Sequence, residues 1–202
     1  YYMIGSEAQR RDAVDYLKLS LEMAKEMGAE FVLTSPANGG YLATYDQLWG
    51  RLEKNIQELG DYAAKLEIKL VVEALTPYES NFFTRANDLV ELFRRVDNPY
   101  VVGMCDIVPP FVQHESIMAY FDKLGNKMDH MHIIDGENGS DTHMIPGEGN
   151  IPIKEMLYEM KRIGYDKTAT LELVTNYINE PRFYAKRAID NMRELMAEAG
   201  IV

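Results

Sequence analysis

Cysteine is nearly missing from this chain: Cys105 stands alone among 202 residues. No internal disulfide can form, and a reducing, cytoplasmic home is the simplest reading. Positive charge is scarce too, with 21 Lys and Arg against 32 Asp and Glu, a net charge of -11 and a pI near 4.8. A protein that grips nucleic-acid phosphates needs a basic footprint, and no run of Lys and Arg supplies one. Long apolar runs are also absent. None reaches the length of a bilayer span, and the N-terminal residues carry no signal-peptide pattern. These absences argue against nucleic-acid and membrane partners.

The hydrophobic share of 47% and charged share of 26% are those of an ordinary globular protein. The length suits one domain with a sizeable core, yet is short for a complete (β/α)8 barrel. Apolar β-rich runs at Phe31–Ser35, Ile68–Glu73, Tyr100–Asp106, Met128–Ile134 and Thr168–Val174 alternate with amphipathic helical patterns. Ser6 with Gln9, and Thr44 with Gln47, read as capping boxes that open the first two helices. Gly28 closes the first, after a buried stripe of Leu17, Leu21 and Ala24. Shorter helices are expected at 85–97 and 114–124. Pro152 and Pro181 suit first-turn positions of the last two, with Gly164 and Gly200 at their ends. Five strands and six helices with no linker between them make residues 1–202 a single α/β domain. Pattern alone leaves a doubly wound sheet and a part-barrel equally open.

The strands are interrupted by charge at informative places. Glu73 ends Leu70-Val71-Val72, Asp106 ends the run through Cys105, His130 and His132 share one face of the fourth strand, and Glu172 follows Leu171. In parallel α/β proteins the C-terminal strand ends carry the active site, so these groups are candidates for one rim. An oxygen-rich set with one imidazole suits Mn²⁺, Mg²⁺ or Co²⁺ better than structural zinc, which favours thiolates. Each residue alone also has an ordinary reading: a solvated strand end, a turn-opening Asp, a core histidine. Their coincidence in four successive strands carries the metal reading. The loops Glu73–Asn81 and Asp141–Gly149 are polar and sit where substrate contacts are made. Trp49 and Tyr45 are expected in the core.

Several segments carry a family resemblance: Trp49–Glu53, Leu75–Asn81, Tyr120–Gly125, His130–Asp135, Asp141–Gly149, Glu172–Thr175 and Asn179–Arg182. Through nearly its whole length the sequence resembles the xylose-isomerase-like sugar isomerase/epimerase barrels. Within them it looks most like the ketose 3-epimerase group and its fructoselysine-acting branch. The resemblance implies a TIM (β/α)8 barrel, with residue 1 falling beyond the third strand and the visible strands being the fourth to the eighth. It implies one divalent metal, Mn²⁺ foremost with Mg²⁺, Co²⁺ or Ni²⁺ as alternatives, held by Glu73, Asp106, His132 and Glu172. Glu73 and Glu172 would double as the acid–base pair, and Glu79 and His143 would bind substrate.

Two departures bear on the sugar. Free-ketose epimerases carry a His three residues after the metal Asp, where this chain has Pro109, and an Arg three residues before Pro-Gly, where it has His143. Both favour a modified, Amadori-type ketose such as fructoselysine. The implied enzyme is an isomerase that inverts C3 by proton removal and return, with a homo-oligomer as its assembly. The rivals are a ketose/aldose isomerase or sugar dehydratase on the same scaffold, an abasic-site endonuclease, and a non-catalytic remnant. Four histidines and the acidic balance weigh against the nuclease.

Overall fold

A computed structural model describes residues 3–137 and 139–201. Along the chain come α1 (Glu7–Met27), β1 (Phe31–Thr34), α2 (Tyr45–Leu66), β2 (Lys69–Val72), α3 (Ala86–Arg95), β3 (Val101–Asp106), α4 (Val108–Val112) and α5 (Met118–Leu124). Then follow β4 (Met128–Ile133), α6 (Ile153–Ile163), β5 (Thr168–Leu171) and α7 (Pro181–Glu198). The five expected strands are all present.

Both capping boxes form. The Ser6 hydroxyl accepts from Gln9 N while the Gln9 side chain accepts from Ser6 N, and Thr44 and Gln47 repeat the exchange. These bonds satisfy amides that the first helical turn leaves without partners. Gly28 and Gly164 close α1 and α6 in the left-handed conformation. The short α4, which carries Pro109 and Pro110, was not expected. Both lie in its first turn, where a missing N–H costs nothing. Pro152 is the residue before α6 rather than part of its first turn, whereas Pro181 does open α7. Tyr45 is exposed at the start of α2, while Trp49 one turn later is buried as expected.

The described residues form two compact units: the chain up to Met104 with Lys123–Asp129, and Cys105–Asp122 with the chain from His130 onward. In the first, β1 pairs in parallel with β2 from Phe31 opposite Lys69 to Thr34 opposite Val72, and β2 pairs in parallel with β3. Val71, Val102 and Met104 pack with Phe31 and Leu33, and α2 buries Leu48, Leu52, Ile56, Leu59 and Ala63. A Cβ on Gly60 would come within 2.6 Å of Val101 Cγ2, so α2 can lie against β3 only because that position is glycine.

In the second unit β4 pairs in parallel with β5, His130 opposite Thr168 through Ile133 opposite Leu171. Just past β3, Ile107 N donates to His132 O at 3.4 Å and sets the end of β3 beside β4. Helix α6 buries Ile153, Met156, Leu157 and Met160, and α7 buries Ala188 and Met192. Because these strands run the same way, Asp106, His132 and the residue after Leu171 reach one edge. Among the described residues no helix is long and apolar enough to cross a membrane.

Candidate metal centre

Asp106 is the last residue of β3, and His132 is the last but one of β4. Strand β5 ends three residues earlier than expected, so Glu172 stands immediately beyond it at the start of a loop. One ligand atom from each of the three lies within 4.8 Å of the others. His132 Nδ1 is 3.3 Å from Glu172 Oε2 and 3.9 Å from Asp106 Oδ2. Asp106 and His132 are buried, and the Glu172 side chain keeps 35% of its surface exposed, which leaves the group open on one side. Oδ1 of Asp106 accepts from Val108 N at 2.8 Å, so the first turn of α4 fixes that carboxylate while Oδ2 faces the imidazoles. Two carboxylates and an imidazole at this spacing form a group that can hold a divalent metal ion.

The two histidines of β4 divide their tasks. Both ring nitrogens of His130 are engaged with β5, Nδ1 with Thr168 Oγ1 at 2.7 Å and Nε2 with Thr170 Oγ1 at 3.1 Å. Its ring stands edge-on to His132, with centroids 5.5 Å apart. The histidine of the strand that faces the carboxylates is His132.

His143 also reaches this group, from the loop after β4. Its Nε2 lies 3.1 Å from Glu172 Oε2 and 3.7 Å from Asp106 Oδ2, and its Nδ1 lies 3.1 Å from Asp141 Oδ1. The residue holds a left-handed backbone, φ 44°, which is uncommon for a non-glycine although histidine enters it more readily than most. Burial alone would push the His143 imidazole down, but Asp106, Asp141 and Glu172 outweigh it and hold the ring well above its ordinary range. Burial would likewise raise Glu172, yet hydrogen bonds from His132 and His143 keep its carboxyl well below the usual carboxylate range. Asp141 was not singled out in the sequence as a site residue; its signal is the Asp-x-His spacing in a loop already marked as polar.

In the other unit Glu73 follows β2 directly, is buried, and donates its backbone N–H to Thr34 O at 2.9 Å. Glu79 sits in the loop beyond it, where Oε2 accepts from Thr76 N at 3.2 Å and Thr76 Oγ1 at 3.0 Å. That loop is tied to the one after β1: Ser80 Oγ donates to Ala37 O, and the Asn81 amide accepts from Gly39 N and donates to Gly40 O.

Comparison with known proteins bears on this arrangement. Residues 2–195 match the family model described as xylose isomerase-like TIM barrel. Fructoselysine 3-epimerase of Shigella flexneri is 46% identical over 196 residues, covering 97% of this chain and 71% of that protein. Among solved structures, a D-tagatose 3-epimerase-like protein superposes with a TM-score of 0.81 at 22% identity, covering 96% of this chain and 72% of the other. D-psicose 3-epimerase from Clostridium cellulolyticum H10, solved with D-tagatose, gives 0.77 at 19% identity over 95% and 73%. Likeness at this level of identity is likeness of fold.

Proposed function

The chain belongs to the xylose isomerase-like TIM barrel family, and on that premise we propose that it is a metal-dependent ketose 3-epimerase whose substrate is fructoselysine. The observation that carries the reading is the meeting of Asp106, His132 and Glu172 just beyond and at the ends of three consecutive parallel strands. Glu73 would complete the ligand set, as the resemblance implies, and the four groups would hold one divalent ion, Mn²⁺ foremost. Such an ion, when bound, lowers the energy of negative charge that develops on adjacent carbonyl and hydroxyl oxygens.

The chain's own residues would then do the following. Glu172, kept ionised by His132 and His143, takes the C3 proton of the ketose or returns it. Glu73 performs the reciprocal step from the opposite face, since inversion requires a proton to leave one side and arrive on the other. His143, fixed by Asp141, donates a hydrogen bond to a substrate oxygen, and Glu79 accepts from a sugar hydroxyl. Residues 1–202 would belong to one xylose isomerase-like barrel domain, as its C-terminal five βα units, and would work in the cytoplasm, where Cys105 stays reduced.

Support for a modified sugar comes from the 46% identity to a fructoselysine 3-epimerase, together with Pro109 and His143 standing where free-ketose epimerases carry His and Arg. The test is a substrate panel with Mn²⁺ added. Fructoselysine should be converted to its C3 epimer at least about tenfold more efficiently than psicose, tagatose or fructose. An aldose product would replace this reading with a ketose/aldose isomerase.

A further inference from the structure

One buried carboxylate of the second unit lies outside the ligand group. Asp135 follows β4 by two residues, has 1% of its surface exposed, and is surrounded by backbone donors. Its Oδ1 accepts from Gly136 N at 2.8 Å and Ile151 N at 2.9 Å, and its Oδ2 accepts from Gly147 N at 2.9 Å. Its own backbone pairs with Met144, N to O at 2.8 Å and O to N at 2.7 Å. Met144 is the neighbour of His143. One residue thus holds the loop that leaves β4 at its beginning, middle and end. The clamp is tight: a Cβ on Gly149 would lie 2.5 Å from Asp135 Oδ1 and 2.4 Å from Gly136 O.

A loop of this length does not keep a left-handed, non-glycine residue in place by itself. The geometry points to Asp135 as the positioning residue of the centre: by gathering three backbone N–H groups, it fixes His143 against Glu172 and Asp106. Asp135 touches neither carboxylate of that group in the contacts described, so it acts through the loop. Its catalytic consequence rests on the epimerase reading given above, whereas the placement of His143 does not.

Asp135→Asn tests the clamp with little change of shape, because the amide nitrogen cannot accept the Gly147 N–H. With fructoselysine and Mn²⁺, kcat/KM of the full chain should fall by up to about tenfold, no more than in His143→Ala, while metal content holds. In a His143→Ala background the same change should have almost no further effect, within about twofold. A merely structural role would multiply the two losses. The second readout is free of turnover. In Mg²⁺-loaded protein, the His143 ring should give one sharp set of NMR resonances that broadens or moves toward free imidazole in Asp135→Asn. If Asp135→Asn does not fold, Gly149→Ala presses on the same carboxylate and should give the same signature. Multiplied losses, or a His143 signal unchanged by either variant, would overturn the inference. Wild-type protein inactive on every ketose, with the His143 signal responding as described, would defeat the epimerase reading and support the placement.

Discussion

His143 and Glu172, 29 residues apart in the chain, face each other with Nε2 and Oε2 separated by 3.1 Å. The contact joins the loop after β4 to the end of β5, so the parallel pairing of these two strands is what makes it possible. It also holds the Glu172 carboxyl well below the usual carboxylate range, the ionised state that the proposed proton transfer needs.

Glu172→Gln should keep the fold and lose turnover, because an amide accepts no proton. A loss of about 10²- to 10⁴-fold in kcat is expected for removal of a general base. Metal content must be measured in the same samples. Unchanged turnover at full metal occupancy would remove Glu172 from the proton-transfer role.

Asp106→Asn should act differently. The side chain can still accept from Val108 N and so cap α4, but it brings no charge to Oδ2. Bound metal, measured by elemental analysis at fixed free Mn²⁺, should drop at least about tenfold with little change in melting temperature. Retained metal would show that Asp106 is not a ligand.

His143→Ala and Glu79→Ala should each raise KM about tenfold, the worth of one well-made polar contact to substrate. Metal content should stay near that of the wild type. Metal loss with unchanged KM would reassign either residue from the sugar to the ion or to the fold.

A pH prediction comes from the first unit. Glu58 on α2 accepts from Arg11 and Lys18 on α1, which hold its carboxyl down to about 2 against the ordinary 4.5. A depressed carboxyl stabilises the folded state above its unfolded value and loses that contribution as pH falls through the folded one. The contribution should therefore be complete at pH 7, decline below about 4.5 and be gone near 2. With Arg11 and Glu58 partly in solvent, it amounts to about 1 kcal/mol or less, or roughly 2–4 °C at most in melting temperature. Glu58→Gln should melt lower than wild type at pH 7 and match it near pH 2. A gap that persists at pH 2 would mean that packing, not charge, is what the substitution disturbs.

The positions of β2 and β3 were readable in the sequence because both strands are buried and read as apolar runs ended by an acidic residue. Strand ends were less so: β2 and β5 stop before Glu73 and Glu172, since strand termini depend on pairing partners rather than on local composition. The short α4 was hidden by its prolines, whose meaning depends on whether they fall at the first turn or the middle of a helix. Asp106, His132 and Glu172 were legible as a coincidence of strand ends. The proposed role of Asp135 and the contact of Asp141 with His143 were not, because both depend on the path of the loop after β4, which no periodicity encodes.

On the proposed reading this chain inverts C3 of a ketose by exchanging its proton through the protein. The most direct measurement is conversion of fructoselysine in D₂O with Mn²⁺, followed by NMR of the recovered sugars. We expect a C3 epimer carrying deuterium at C3, with C1 unlabelled and the carbonyl still at C2. An aldose product carrying deuterium at C2, or epimer formed with no deuterium at C3, would contradict it.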